Sequence, residues 1–221
     1  MMRTLVAAAL AASAFVAVAA ETESKAEAAP AAKTGDPFVG GNADAAASKA
    51  TACFACHGPG GNSANPEWPK LAGQHAGYLY AQLKHFKDGS RPMPIMMGQA
   101  ASMDDQSMKD FAAFFAAQNM QPGVASPDSI AVAQKLYRAG DAARGLPACA
   151  ACHGPQGRGN AGAGYPRIGG QHAKYVAIRL DEYRSGKAGP NGGNTAMMAA
   201  VATKLTDAEV QALASYVNGL Q

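Results

Sequence analysis

Two short motifs carry the residues with the most evident chemistry, CFACH at residues 53–57 and CAACH at residues 149–153. In each motif two residues separate a pair of cysteines, and a histidine follows the second cysteine directly. This pattern is the attachment signal for covalent haem, in which both sulfurs bond the porphyrin vinyl groups and the histidine ligates the iron. The motifs use all 4 cysteines of the chain, so they leave no thiol for a disulfide or a separate zinc site. The sequence therefore predicts two haem c groups.

The motifs assign both the covalent bonds and the proximal iron ligands. The predicted thioether residues are Cys53, Cys56, Cys149 and Cys152, and the predicted proximal ligands are His57 and His153. Zinc sites and redox dithiols share the Cys-x-x-Cys spacing. The histidine after each pair, and the second copy of the motif, favour haem over both alternatives.

Haem iron needs a second axial ligand, and two methionine pairs offer one. Met96 lies seven residues before Met103, and Met198 lies seven residues before Leu205, at the start of matching C-terminal segments. We expect both methionines to lie in loops. A thioether is a soft, neutral ligand that favours reduced iron and raises the reduction potential. The spacing therefore predicts Met96 and Met198 as the sixth ligands.

Other side chains compete for these positions. Met97 and Met197 are adjacent to the predicted ligands, and Met93 is a weaker option. His75 and His172 also occupy equivalent positions, and we interpret them as helix-start histidines that form local hydrogen bonds.

Two prolines are candidates for orienting the proximal histidines. Pro69 lies 12 residues after His57, and Pro166 lies 13 residues after His153. A ligating histidine normally donates its other ring N–H to an acceptor such as a backbone carbonyl, which fixes its tautomer. The sequence predicts that the two proline carbonyls accept these bonds. The alternative is that each proline only shapes its loop.

The chain contains an internal repeat. PKLAGQH at residues 69–75 recurs as PRIGGQH at residues 166–172, and the segments that follow each copy also match. Spacing of three and four residues between apolar positions predicts helices, and no alternating strand pattern is convincing. The predicted helices cover residues 44–55, 75–88, 104–118, 128–138, 172–185 and 206–218. Asp128 is the predicted cap of the fourth of these helices. The repeat predicts two all-α domains, at residues 36–118 and 128–221, joined by a linker at 119–127.

The N-terminal segment has the pattern of an export signal. Arg3 precedes an apolar run over residues 5–20 that ends in small residues. The run is shorter than the ~20 residues that usually span a bilayer. We therefore predict a cleaved signal peptide at 1–20 and a flexible tether at 21–35, with export to the periplasm. An uncleaved anchor is the alternative.

Each repeat resembles the class I cytochrome c domain. The resemblance depends on four features in this order: the haem motif, the Pro-x-Leu/Ile-x-Gly-Gln segment, the methionine and the C-terminal helix. Two such domains in tandem resemble cytochrome c4, a bacterial dihaem electron carrier. The resemblance covers about residues 35–221 and implies domains related by a pseudo-twofold axis, each around one haem, with the propionate edges facing each other. It also implies His57 with Met96 and His153 with Met198 as the iron ligands. The alanine-rich tether and the doubled methionines depart from the pattern, and the second departure leaves the ligand assignment open.

An electron carrier is the function that these features predict. Iron with two protein ligands has no open position for a substrate, so one-electron exchange with redox proteins is the remaining chemistry. The resemblance implies a donor complex that oxidises quinol and a terminal oxidase as acceptor. We expect a monomer with no nucleic-acid partner and some peripheral association with the membrane. A dihaem peroxidase and an electron-entry subunit of a larger dehydrogenase or oxidase are the alternatives.

Charge is distributed unequally between the predicted domains of a chain with formal net charge +3. Residues 36–118 hold 6 Lys/Arg and 7 Asp/Glu, a balance of −1, whereas residues 128–221 hold 10 and 6, a balance of +4. A positive surround disfavours the oxidised iron, which carries more positive charge. We therefore expect the haem of the C-terminal domain to have the higher potential.

Overall fold

The computed structural model describes Phe38 and residues 40–221, and this part of the chain is helical. The first half contains α1 Ala43–Ala47, α2 Thr51–His57, α3 Ala76–Lys87, α4 Pro94–Ala101 and α5 Asp105–Ala117. The second half contains α6 Pro127–Ala139, α7 Cys149–His153, α8 Ala173–Arg184, α9 Gly193–Ala202 and α10 Asp207–Asn218. Over the described residues, β structure is limited to two isolated bridges. The predicted all-α fold is therefore confirmed.

The predicted signal peptide at 1–20 and tether at 21–35 lie outside the described residues. Among the helices of the described part, none has the length and apolar character needed to cross a bilayer.

Two predicted helix boundaries were wrong. The helix expected over residues 44–55 is divided into α1 and α2, and the Thr51 hydroxyl donates to the Ser48 carbonyl at the division. Such a side-chain bond competes with the backbone bonds that would continue the helix. The helix expected after a cap at Asp128 instead begins at Pro127, with Ser126 as its N-cap. Proline suits this first position because its missing N–H would have no partner within the helix.

The two methionine pairs lie on helices, and the prediction that they lie in loops was wrong. Met96 and Met97 belong to α4, and Met197 and Met198 belong to α9. Alanines follow both pairs, and their helix propensity extends each segment by more than a turn. Pro94 starts α4 at a first-turn position, where proline is tolerated.

Each half of the molecule packs around its last helix. α5 contacts α1 and α3, and α10 contacts α6 and α8. The buried residues of the first core are Ala46, Ala50, Ala76, Leu79, Ala112, Phe114 and Phe115. Those of the second are Ala133, Leu136, Tyr137, Leu146, Ala177, Leu205, Val210, Leu213, Ala214, Tyr216 and Val217. The helices with the cysteine motifs pack directly on these cores, through Phe54 in α2 and through Cys149 and Ala150 in α7.

A capping box starts α10 and links it to the turn that precedes α7. The Thr206 side chain accepts from the Glu209 N–H, and the Glu209 carboxylate accepts from the Thr206 N–H. Arg144 binds the same carboxylate, with a shortest N–O distance of 2.7 Å. The pKa of Glu209 is lowered to about 2, mainly because its carboxylate accepts the hydrogen bond from Arg144.

Glu209→Gln should lower the free energy of unfolding of the holoprotein at about pH 7 by about 1 kcal/mol, because an uncharged amide bonds Arg144 more weakly. The unfolded pKa of glutamate is about 4.3 and the folded pKa is lower, so the stabilisation is fully present above about pH 4.3 and is lost as the pH falls toward 2. Denaturant unfolding at about pH 7 and about pH 3.5 should therefore show a smaller difference from wild type at the lower pH. The control is Asp207→Asn, which removes another carboxylate from the first turn of α10; its side chain is 90% exposed and pairs with Arg184 at the surface. A difference that is equal at both values of pH would contradict the prediction.

Candidate haem sites

The first site is built at the C-terminal end of α2. Cys53 and Cys56 lie one turn apart on this helix, and neither is in a disulfide. His57 is the last helical residue and is buried, and its Nδ1 lies 2.9 Å from the Pro69 carbonyl oxygen. Gly58 ends the helix at φ 73°, and a Cβ there would lie 2.2 Å from the Asn62 carbonyl oxygen. Only glycine fits at this position, which turns the chain sharply after the histidine.

The second site repeats this arrangement at the end of α7. Cys149 and Cys152 are partly buried and outside any disulfide, and His153 is buried. Its Nδ1 lies 2.9 Å from the Pro166 carbonyl oxygen. Gly154 has φ 75°, and its carbonyl accepts a 2.6 Å hydrogen bond from the Tyr137 hydroxyl, which ties the motif to α6.

The donor set at both sites fits a covalently bound haem. A carbonyl partner requires the proton on Nδ1, so Nε2 of each imidazole carries the free electron pair that a metal needs. Nε2 of His57 and Nε2 of His153 have no hydrogen-bond partner within the described residues. Burial is the main cause that lowers the pKa of both histidines, which favours the neutral form. In the described part of the chain, no three cysteine, histidine or carboxylate side chains are placed to bind one metal ion together, as a zinc site would require.

Two buried arginines near the contact between the halves carry a surplus of positive charge. Arg91 and Arg179 are 4% and 7% exposed, and the carboxylate that lies close to both is that of Glu182. Arg91 Nη2 also contacts the Tyr175 hydroxyl at 3.2 Å, while its buried Nε has no hydrogen-bond partner among the residues that the structure describes. A buried guanidinium with an unsatisfied N–H suits an anionic group, and a haem propionate has the chemistry to satisfy it.

The methionine pairs differ in exposure. In α9, Met197 is 46% exposed and its sulfur lies 3.9 Å from the Tyr165 hydroxyl, whereas Met198 is partly buried. In α4, Met96 and Met97 are both partly buried. Exposure therefore favours Met198 over Met197 as the iron ligand, but it does not distinguish Met96 from Met97. Met93 is also partly buried, at the N-cap of α4.

His75 and His172 are the N-cap residues of α3 and α8, as their predicted helix-start positions require. The His172 imidazole does not bond locally, however. Its Nε2 lies 2.7 Å from the carbonyl oxygen and 3.0 Å from the hydroxyl of Ser63, in the other half of the molecule. The prediction of a local bond failed for His172 because nothing in a local pattern indicates a partner 109 positions away.

The contact between the halves includes a reciprocal pair of glutamine bonds. The Gln171 side chain accepts from the Lys70 N–H and donates to the Lys70 carbonyl, both at 2.9 Å. The Gln74 side chain accepts from the Arg167 N–H and donates to the Arg167 carbonyl, both at 2.8 Å. The two glutamines are equivalent in the repeat, so the exchange obeys the predicted pseudo-twofold symmetry. Sequence reasoning gave these glutamines no role, although their place in the repeated GQH segment was the available signal.

The comparisons with known proteins agree with this double arrangement. The family model for cytochrome c matches twice, at residues 43–119 and 130–221. Cytochrome c4 of Pseudomonas aeruginosa is 45% identical over 187 residues, which cover 85% of this chain and 92% of that protein. The chain belongs to the cytochrome c4 family. As a cytochrome c4 it is a dihaem electron-transfer protein and not an enzyme.

Two further relatives extend the comparison. The crystal structure of reduced recombinant cytochrome c4 from Pseudomonas stutzeri superposes with a TM-score of 0.79 at 41% identity. The match covers 82% of this chain and all of that one. A protein of Stutzerimonas stutzeri named thiosulfate dehydrogenase electron acceptor is 39% identical, over 76% of this chain and 78% of its own length.

Proposed function

We propose that the residues predicted from the sequence hold the two haems of this cytochrome c4. The thioether bonds are assigned to Cys53, Cys56, Cys149 and Cys152, the proximal ligands are His57 and His153, and the sixth ligands are Met96 and Met198. One observation carries this proposal: both motif histidines lie 2.9 Å, through Nδ1, from the carbonyl of the equivalent proline. A repeated orientation of this kind leaves Nε2 available to bind iron in each domain, which supports the assignment.

The protein orients the ligands and occupies the ligand positions of the iron, and bound haem supplies reversible one-electron exchange. The proline carbonyls hold the imidazoles in one tautomer, and the cysteines fix the group to the same helix. A methionine thioether as the second protein ligand would leave the iron no position for peroxide or oxygen. An iron with all ligand positions occupied favours a carrier over a dihaem peroxidase. We therefore expect no turnover of peroxide above the rate of free haem.

The proposed role is transfer of single electrons in the periplasm, from a complex that oxidises quinol to a terminal oxidase. The family membership and the predicted export signal support this role. Transfer from a thiosulfate dehydrogenase is a second candidate, because a relative at 39% identity carries that name.

Stopped-flow mixing with each donor separates the two roles. The oxidised protein is mixed with a purified quinol-oxidising complex and, separately, with a thiosulfate dehydrogenase supplied with thiosulfate. The reduced protein is then mixed with a terminal oxidase. We expect rapid, salt-sensitive reduction by the quinol-oxidising complex and rapid reoxidation by the oxidase. Rapid reduction by the thiosulfate enzyme alone would assign the second role.

The haem of the C-terminal domain should have the higher reduction potential. Residues 128–221 have a balance of +4 and residues 36–118 a balance of −1. Surface charges are screened beyond about 10 Å at 0.1 M salt, but a partly buried haem feels the local field more strongly than an exposed group does. A redox titration resolved by domain should show that this haem is reduced first, by a margin that shrinks with added salt. Earlier reduction of the other haem would show that local exposure or hydrogen bonding sets the order.

A further inference from the structure

The glutamine contacts between the domains act on the same peptide groups that hold the proximal histidines. The Pro69 carbonyl and the Lys70 N–H belong to one peptide group. Its oxygen lies 2.9 Å from His57 Nδ1, and its N–H donates to Gln171 Oε1 at 2.9 Å. A continuous chain of hydrogen bonds therefore runs from His57 in the first domain to Gln171 in the second.

The reverse chain is also present. The Pro166 carbonyl and the Arg167 N–H form one peptide group, whose oxygen lies 2.9 Å from His153 Nδ1. Its N–H donates to Gln74 Oε1 at 2.8 Å. Each histidine is thus connected, through one peptide group, to the glutamine of the opposite domain.

Both glutamines are held firmly in these positions. Gln74 and Gln171 are 6% and 5% exposed. Each Oε1 also accepts the N–H of the following residue, at 3.0 Å for His75 and 2.9 Å for His172, so the amide cannot rotate without losing bonds. The bonds are therefore stronger than they would be in water.

Hydrogen bonds in such a chain polarise one another. A peptide whose N–H is bonded carries more negative charge on its oxygen and accepts more strongly, by an estimated 10–30% per bond. A stronger bond to Nδ1–H makes the imidazole a better electron donor, and a better donor stabilises oxidised iron.

We propose that each domain tunes the haem of the other, with Gln171 as the positioning residue for His57 and Gln74 as the positioning residue for His153. The inference rests on the proposed assignment of these histidines as iron ligands. It gives the domain interface a function in electron transfer beyond holding the domains together, because loosening the interface changes both haems.

Gln171→Met should raise the potential of the N-terminal haem, because methionine has similar length but its thioether is a much weaker acceptor for the Lys70 N–H. We expect a change of about twofold to threefold in the ratio of oxidised to reduced iron, or about 18–28 mV at 59 mV per tenfold for one electron. Gln74→Met should have the same effect on the C-terminal haem. The haem in the same domain as the substituted glutamine should keep a nearly unchanged potential in each variant.

The direct readout is the Nδ1–H proton of the ligating histidines in the reduced, ¹⁵N-labelled holoprotein. In Gln171→Met the His57 signal should move upfield as its hydrogen bond weakens, while the His153 signal stays in place. Gln171→Glu keeps an acceptor for Lys70 N–H and should restore the His57 signal to its original position or move it further downfield. The control is His172→Ala, which removes the contact with Ser63 across the interface and leaves both peptide groups paired.

The reciprocal pattern is the decisive outcome. An unmoved His57 signal in Gln171→Met, or equal shifts at both histidines in either glutamine variant, would overturn the tuning proposal and leave the ligand assignment intact. If His172→Ala abolishes the Nδ1–H signals of both His57 and His153, the tuning proposal is also overturned, because the interface would then act only through its general stability. Absence of a haem-shifted Nδ1–H from either histidine in the wild-type protein would overturn the ligand assignment and the tuning with it.

Discussion

Met96→Ala and Met198→Ala should each remove the thioether ligand from one haem and lower the potential of that haem. The replacement ligand is water or a nearby side chain, and neither stabilises reduced iron as a thioether does. Axial ligands set haem potentials over about 0.8 V, so we expect a drop that is a substantial part of this range. A potentiometric titration followed in the visible and near-infrared regions should show one altered and one normal haem in each variant.

The neighbouring methionines are the matched controls. Met97→Ala and Met197→Ala remove a side chain of the same kind from the next position on α4 and α9, and Met197 is 46% exposed. Both variants should keep two thioether signals and nearly unchanged potentials. A signal that survives in Met96→Ala and disappears in Met97→Ala would transfer the ligand role to Met97.

Replacing both Cys149 and Cys152 with alanine should leave one covalent haem per chain and destabilise the C-terminal domain. No other cysteine is available to this domain, because the chain has 4 and the first motif uses the others. In the described residues the largest fully buried side chains are Tyr137, Met108 and Val210, a small set for two cores. Haem therefore supplies apolar area that the polypeptide lacks, and its loss should remove most of the about 5–15 kcal/mol that stabilises a typical domain.

Intact mass and calorimetry measure the two effects. The double variant should lose the mass of one haem and the melting transition of one domain, with the other transition retained. Ala151→Ser is the control, because it changes an exposed residue within the same motif and leaves both thiols in place. Two covalent haems in the double variant would contradict the assignment of these cysteines.

The sequence predicted the parts of this molecule that depend on local patterns. Fixed spacing identified the haem motifs, and periodicity together with the repeat predicted two helical domains. Side-chain capping at Asp104 and Thr206 also follows from the sequence, because the acceptor and its N–H partner are three residues apart. The His57–Pro69 and His153–Pro166 contacts have the predicted partners, although their role toward iron remains a prediction.

Long-range features were out of reach of the same reasoning. One local prediction also failed: the methionine segments, which lie before the C-terminal helices, were expected to be loops, whereas the alanines after each pair make them helices. The bonds of Gln74, Gln171 and His172 join residues about one domain apart in sequence, and a propensity or a local motif carries no information about such partners. The repeat indicated symmetry but not which side chains exchange bonds across the axis.

The near-infrared absorption band of methionine-ligated oxidised haem, counted against total haem, tests the central claim most directly. We expect an intensity that accounts for both haems of each chain and no high-spin iron, as for a carrier with His/Met ligands at both sites. An intensity that accounts for one haem or none, accompanied by a high-spin signal, would contradict this expectation and would indicate an open iron of the kind that a peroxidase requires.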